Sequence, residues 1–204
     1  MDRIDAWVAP SFVLPAVSTL DDEALMVRVR DLDDVEAFEE LVRRYEARAR
    51  RLFLAYFGSS EDVEDGVQLC LLRLFEARRH YRRQDHFPAW FYRLAMNVAH
   101  DQWRKRRRWY RLLTRFRDLT VGSPTDADPT TSVQEIEAHR QVLWRQIQTA
   151  VQRLPRRQRQ VVILRYVEDM SLAEIAETLR MPLGSVKAHL HYALRKIQRW
   201  VKSR

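Results

Sequence analysis

The chain has 204 residues, 46% of them hydrophobic and only four of them glycine, which suits one or two small domains built mainly from helices. Lysine and arginine outnumber aspartate and glutamate by 36 to 28, and the formal net charge of +8 favours a polyanionic partner. A single cysteine, Cys70, excludes an internal disulfide and a thiolate metal cluster, and no apolar stretch has membrane-spanning length, so we expect a cytoplasmic protein.

The first predicted domain covers residues 21–109 and follows an N-terminal extension, residues 1–20, that shows no helical periodicity. Apolar residues spaced three and four apart predict three packed helices in this domain. Gly58 is expected to end the first helix and Ser59 to cap the second. The apolar positions, helix by helix, are Phe38, Leu41, Val42, Tyr45, Ala49, Leu52, Phe53 and Tyr56; Val67, Cys70, Leu71, Leu74 and Phe75; and Phe87, Trp90, Phe91, Leu94, Ala95 and Val98.

The second helix of this domain starts with four carboxylates in five residues, 61–65. The helix dipole accounts for one or two carboxylates at a helix start, so four exceed what capping needs. An acidic patch repels DNA, and we therefore expect this surface to contact a basic protein partner.

The first domain ends in a run of five cations, residues 104–108. Five consecutive positions point all round a helix, so some of these cations face solvent, where they suit phosphate contacts. Upstream of the run, Trp90, Asn97 and Trp103 are candidates for contact with unpaired bases, because aromatic rings beside a cationic groove stack on such bases. Two other interpretations stay open: the run is a solvated surface, and Trp90 belongs to the core.

An acidic, proline-containing stretch separates the two domains. Residues 118–137 contain five acidic and no basic residues, which predicts a flexible linker over residues 110–138. Helical periodicity returns at Trp144, and Pro155 is expected to begin the next helix. The second domain is therefore placed at residues 139–204.

The second domain carries the pattern of a helix-turn-helix. Ser171 and Glu174 predict a capping box, Pro182 and Gly184 a turn, and Ser185 the N-cap of a second helix. A short helix, a tight turn and a helix with a basic outer face suit a DNA major groove; the alternative is a helical hairpin with a solvated face. The buried side of the second helix is expected to comprise Val186, Leu190, Leu194, Ile197 and Val201. Its outer side is expected to comprise Ser185, Lys187, Ala188, His189, His191, Tyr192 and Arg195.

These motifs together resemble the extracytoplasmic-function (ECF) group of bacterial sigma-70-type sigma factors. Residues 60–68 are similar to the family's polymerase-binding segment, residues 87–97 to its promoter-melting segment, and residues 101–108 to its −10-reading continuation. Residues 154–166 resemble the opening of region 4, and residues 171–195 its −35-reading helix-turn-helix. The expected fold is all-α, with two small helical domains joined by a flexible linker.

The resemblance implies a subunit that binds core RNA polymerase and promoter DNA. The sequence has no phosphate-binding loop, catalytic-triad spacing, metal-ligand cluster or membrane-spanning stretch, so we expect no cofactor, metal, membrane insertion or enzymatic activity. An anti-sigma factor is a further candidate partner. The expected polymerase-binding residues are Asp62, Glu64, Asp65 and Gln68. The expected −10 DNA-binding residues are Trp90, Asn97, Asp101, Trp103, Arg104, Lys105 and Arg107. The expected −35 DNA-binding residues are Ser185, Lys187, Ala188, His189, His191 and Arg195.

The chain departs from the family pattern in two places. Residues 69–71 are apolar where the family has acidic, polar and aromatic residues, and Gly66 is expected to loosen its helix by roughly 0.5–1 kcal/mol relative to alanine. His189 and Tyr192 stand where arginines are common, so the promoter sequence cannot be transferred from relatives.

Two other functions fit parts of the sequence. A stand-alone helix-turn-helix regulator would bind duplex DNA as a dimer and would need neither the acidic patch nor the aromatic-basic segment. The second alternative is a sigma-like protein that acts as an anti-terminator or as an adaptor for another nucleoprotein machine. Binding of duplex promoter in the absence of polymerase distinguishes the first alternative from a sigma factor.

Overall fold

The computed structural model describes residues 15–58, 61–82, 86–117 and 146–202, and all regular elements in these ranges are helical. The all-α prediction is thus confirmed. Most of the N-terminal extension, Ser59, most of the linker and the start of the second domain, including Trp144, lie outside the described residues. None of the helices in the described ranges is both long and apolar enough to span a membrane.

The first domain contains α1 (Asp22–Leu32), α2 (Val35–Phe57), α3 (Glu61–Glu76) and α4 (Phe87–Arg117). A short 3₁₀ turn, Ala77–His80, follows α3. The sequence indicated three helices here, and α1 is an additional one. The fourth helix also continues past residue 109, the expected end of the domain.

Local signals explain why the first two helices begin and end where they do. The carboxylate of Asp34 accepts a hydrogen bond from the Ala37 N–H at 3.0 Å and caps α2, while Asp33 ends α1 in a left-handed conformation with φ of 49°. This pair of aspartates is the break that the periodicity missed. At the other end of α2, Gly58 adopts φ of 75°, as expected of a glycine that terminates a helix.

The core of the first domain is built around α2, which packs against α1, α3 and α4. The buried ring of Tyr45 lies 5.0 Å from Phe87 and 4.6 Å from Phe91, measured between centroids. Cys70 is fully buried in the same core, and burial raises the pKa of its thiol to about 12. This cysteine is therefore a structural residue, as its position in an apolar stripe predicted.

The second domain contains helical residues 146–153 (α5), α6 (Arg156–Tyr166), α7 (Leu172–Leu179) and α8 (Leu183–Lys202). As predicted, Pro155 immediately precedes a helix, α6. The last three helices contact one another, with α6 packed against both members of the helix-turn-helix.

The start of α8 corrects two sequence expectations. Ser185 is not the N-cap, because α8 begins at Leu183 and the Ser185 N–H already donates to the Pro182 carbonyl at 2.9 Å. Gly184 lies inside the helix and does not use its conformational freedom. The left-handed residue of this turn is Arg180, with φ of 50°, directly after α7.

The buried side of α8 also differs by one position from the prediction. Val186 and Ala193 are buried, whereas Leu194 is 40% exposed. At about 100° per residue, Ala193 lies only about 20° around the helix from Val186, and Leu194 lies about 80° away. Leu194 therefore stands at the edge of the apolar face rather than in it.

Candidate functional site

A surface cleft of about 380 Å³ lies between the end of α3 and the middle of α4. Three residues expected to contact −10 DNA, Trp90, Asn97 and Asp101, line it. They share one face of α4 because their spacings of seven and four residues correspond to whole helical turns. The remaining lining residues are Arg73, Ala77, His80, Arg93, Leu94 and Val98. An aromatic ring, an amide and two guanidinium groups thus surround one opening.

Trp90 combines the two roles that the sequence left open. Its ring centroid lies 5.3 Å from that of Tyr81 and 6.0 Å from that of Phe87, so one side of the indole packs on the core. The side chain is only half-buried, and it also lines the cleft. A ring fixed by the core and still accessible from the cleft is suited to stacking on a planar ligand.

The other residues expected to bind −10 DNA do not all face the cleft. Arg104 and Lys105 are exposed on α4 beyond the cleft, and the side chain of Arg107 lies outside the described part of the chain. Trp103 is half-buried, and the guanidinium of Arg159 lies 4.1 Å from the centroid of its indole. Trp103 therefore contacts the second domain instead of lining the cleft.

The structure adds three polar residues that the sequence reasoning missed. Arg93 lies on α4 between Trp90 and Asn97, and helical spacing alone would have identified it. Arg73 and His80 reach the same cleft from α3 and from the 3₁₀ turn. No local pattern places these two beside Trp90, because their position depends on how α3 packs on α4.

The acidic residues at the start of α3 are divided between two environments. Asp65 and Gln68 are exposed, and Asp62 is half-buried. The carboxylate of Glu64 forms an ion pair with Arg50 of α2, so part of its charge is neutralised within the domain. Farther along the same side of α3, Leu72 is 53% exposed. The exposed stripe is thus acidic and polar at its start and apolar at its end.

The helix-turn-helix is fixed by the predicted capping box. The Ser171 N–H donates to Glu174 Oε2 at 2.7 Å, and the Glu174 N–H donates to Ser171 Oγ at 3.2 Å. Hydrogen bonds from the Ser171 side chain and backbone hold the pKa of the Glu174 carboxyl below its usual range. The box sets where α7 begins.

The residues expected to bind −35 DNA lie on the first four turns of α8. Lys187, Ala188, His191 and Arg195 are exposed, and Ser185 and His189 are half-buried. The ring of Tyr192, 55% exposed, lies 5.7 Å from that of His191. This face presents cations, imidazoles and a phenol to solvent, groups that donate to phosphates and base edges.

Comparison with known proteins gives consistent matches over most of the chain. Residues 41–109 match the family model described as Sigma-70 region 2, and residues 144–197 match Sigma-70, region 4. The chain is 31% identical to the ECF RNA polymerase sigma factor SigW of Bacillus subtilis, over 80% of this chain and 89% of that protein. It is 28% identical to the ECF RNA polymerase sigma-E factor of Escherichia coli, over 90% and 95% of the two chains.

Two solved structures share the fold. One is CnrH in complex with the cytosolic domain of CnrY, with a TM-score of 0.62, 19% identity and coverage of 89% of this chain and 97% of that one. The other is the sigma factor RpoE from Bartonella quintana, solved with the anti-sigma factor NepR, with a TM-score of 0.56, 19% identity and coverage of 82% and 98%.

Proposed function

Because the chain belongs to the ECF RNA polymerase sigma factors, we propose that its two domains divide promoter recognition between them. The chain binds core RNA polymerase and directs the initiation of transcription at its promoters. The observation that carries this function is the presence of both sigma-70 regions, in order, on one chain. A stand-alone helix-turn-helix regulator would need only the second of them.

The first domain takes an unpaired base of the −10 element in the cleft on α4. Trp90 supports the base by stacking, and Asn97 offers an amide that donates and accepts hydrogen bonds at a base edge. Arg73 and Arg93 line the same opening and supply positive charge for the strand's phosphates. The exposed Arg104 and Lys105 extend this basic surface along α4 toward the duplex, and Arg107 is a further candidate for DNA contact.

The start of α3 binds core polymerase. Asp65 and Gln68 are the exposed polar residues of the surface, with Asp62 and Glu64 beside them. Acidic side chains repel the promoter and attract a basic protein surface. Leu72 adds an apolar contact at the other end of the stripe.

The second domain places α8 in the major groove of the −35 element. Its outer face supplies Lys187, His191 and Arg195 at spacings that keep all three on one side of the helix. The protein acts in the cytoplasm, where it meets polymerase, and transfers no chemical group itself. An anti-sigma factor remains a candidate partner.

Transcription from genomic DNA tests this function. Core polymerase of the source bacterium transcribes sheared genomic DNA with and without the chain, and the RNA 5′ ends are mapped. We expect new start sites that depend on the chain and share two upstream sequence elements. Absence of new start sites, with binding of duplex DNA by the chain alone, would instead identify a stand-alone regulator.

A further inference from the structure

Helix α1 is the one helix of the first domain on which no expected site residue lies. It also precedes residues 41–109, the part of the chain that matches Sigma-70 region 2. Yet α1 contacts both the 3₁₀ turn Ala77–His80 and α4, the two elements on either side of the connection that leads into the cleft. Helix α1 is therefore placed to control the geometry of the cleft.

Arg30 of α1 fixes the backbone at Tyr81. Its Nη1 donates to the Tyr81 carbonyl at 3.0 Å, while its Nε and Nη2 donate to the two carboxylate oxygens of Asp31 at 2.7 and 2.9 Å. A planar guanidinium held by such a bidentate contact has little freedom to rotate, so its remaining donor points in a defined direction. The hydrogen bond therefore sets where Tyr81 lies relative to α1.

Asp33, the residue that ends α1, holds the 3₁₀ turn itself. Arg78 Nε donates to Asp33 Oδ1 at 2.8 Å, and the Arg78 guanidinium lies 3.9 Å from the centroid of the Phe75 ring. A turn of four residues makes few hydrogen bonds of its own, and their geometry is poor. Its position consequently depends on such contacts with neighbouring elements.

A third residue of α1 fixes the start of α4. Oε1 of Glu23 accepts a hydrogen bond from the Phe87 N–H at 2.9 Å. The first N–H groups of a helix have no partner within the helix, so a carboxylate from α1 supplies one here. Glu23 and Arg30 are seven residues apart, which places them on the same face of α1. One face of α1 thus contacts the chain at both ends of the connection.

These contacts reach the cleft through two residues that line it. The side chain of Tyr81 is 1% exposed, and its ring lies edge-on to that of Trp90, with 5.3 Å between centroids. His80, directly before Tyr81, lines the cleft as well. A shift of Tyr81 would therefore turn the indole that is proposed to stack on the base and would displace the imidazole beside it.

We propose that Arg30 and Asp33 are positioning residues for recognition of the −10 base. Arg30 acts through the backbone of Tyr81, and Asp33 acts through the 3₁₀ turn. Together they keep Trp90 and His80 in the orientation that receives the base, without contacting DNA themselves. This inference rests on the proposed role of the α4 cleft.

Two variants weaken these contacts and leave the cleft residues unchanged. Arg30→Met removes the donor to Tyr81 and keeps a long side chain that favours a helix. Asp33→Asn removes the negative charge opposite Arg78, and asparagine tolerates the left-handed backbone at this position, where φ is 49°. Both variants are therefore expected to fold.

Arg28→Met is the matched control. It makes the same change two residues before Arg30 on the same helix, but the Arg28 guanidinium contacts Asp34 and the Pro15 carbonyl, each at 2.8 Å. A general loss of stability in α1 would appear in this variant too. The melting temperature and the affinity for core polymerase, measured for all three variants, report whether each is folded.

The readout is the contribution of a single base to binding. Holoenzyme binds a fork-junction promoter, identified by start-site mapping, whose −10 non-template strand carries an abasic site at each position in turn. The ratio of the Kd for the abasic strand to the Kd for the intact strand measures what that base contributes. A merely structural role in the fold lowers both affinities and leaves this ratio unchanged.

We expect one −10 position at which the wild-type ratio is about fivefold or more, the lower end of what a stacked base contributes. Asn97→Ala identifies this position as the one held in the cleft, because its ratio falls there. Arg30→Met and Asp33→Asn should lower the same ratio by about twofold or more, as expected of neighbouring groups that are coupled. Arg28→Met should retain the wild-type ratio.

A lower ratio in either test variant, with the wild-type value in Arg28→Met, supports the positioning role. An unchanged ratio in both test variants, or an equal fall in Arg28→Met, overturns that role and leaves the cleft in place. If the ratio at no position depends on Asn97, the cleft itself is wrong, and the positioning role is overturned with it.

Discussion

Gly66 of α3 lies so close to Phe53 of α2 that a β-carbon at position 66 would stand 2.6 Å from Cδ1 of the phenylalanine ring. Helix propensity alone suggests that this glycine weakens α3, which was the sequence-based expectation. The packing shows a second effect, because only a residue without a side chain allows the two helices to approach so closely. The departure from the family pattern is thus a packing feature of the domain core.

The Gly66→Ala variant is expected to be less stable than the wild type. A gain of about 0.5–1 kcal/mol in helix propensity is outweighed by overpacking, which typically costs about 1–3 kcal/mol. Urea unfolding measures the difference. Gly184→Ala is the matched control, since nothing lies within 4 Å of a β-carbon there and the residue is helical, so this variant should gain stability. A stabilised Gly66→Ala protein would refute the close approach.

Charge reversal at the start of α3 should strongly weaken polymerase binding and preserve the fold. Asp65 is exposed, so Asp65→Lys is expected to change the free energy of unfolding by about 0.5 kcal/mol, or somewhat more because a cation opposes the helix dipole. Affinity for core polymerase, measured by biolayer interferometry, should fall strongly. Glu39→Lys makes the same change of charge at an exposed position of α2, and this variant should bind polymerase normally. Equal affinity of both variants for polymerase would show that the start of α3 is not the docking surface.

The outer face of α8 should contain both specific and non-specific contacts. We expect His191 or Arg195 to contact a base edge. Alanine substitution of such a residue should cost about 1–3 kcal/mol of binding free energy and relax the sequence preference at one −35 position. We expect Lys187 to contact a phosphate. Its substitution by alanine should weaken binding to all sequences equally and reduce the salt dependence of binding. Binding of holoenzyme to a promoter library at two salt concentrations distinguishes them. Unchanged −35 preference across the whole face would show that α8 is not the recognition helix.

Acidification should lower the stability of the folded chain through protonation of His100. Burial is the largest cause that lowers the pKa of His100, and the positive charge of Arg156 is the next. The negative charge of Asp101 opposes this shift, and the charges of Arg104 and Arg159 add to it. The folded chain therefore favours the neutral imidazole. The corresponding stability is fully present above about pH 6.5 and declines as the pH falls below that value. The melting temperature should drop between pH 7.5 and 5.5 by more in the wild type than in His100→Gln. An equal drop in both proteins would assign the effect to other groups.

Local signals in the sequence were sufficient for the helix boundaries that depend on a few adjacent residues. Gly58 ends α2, Pro155 precedes α6, and the Ser171–Glu174 capping box starts α7, as each pattern predicted. Ser185 failed as an N-cap because Pro182 accepts the first hydrogen bonds of α8 instead.

Tertiary contacts account for what the sequence could not predict. Arg159 stands in a run of polar and charged residues that suggests a solvated surface, yet it is buried because two domains close over it. Arg73 and His80 join Trp90 only through the packing of α3 on α4. Interactions between separate parts of the chain leave no periodic pattern in either part.

The central claim is that the α4 cleft holds an unpaired promoter base, and Asn97→Ala tests it most directly. Asn97 is exposed, so the variant should fold with an unchanged melting temperature. Permanganate footprinting of holoenzyme, on a promoter identified by start-site mapping, reports unpaired thymines. We expect the variant to open duplex promoter poorly and to initiate normally on a template with a premelted −10 bubble. Normal opening of the duplex by the folded variant would contradict the account.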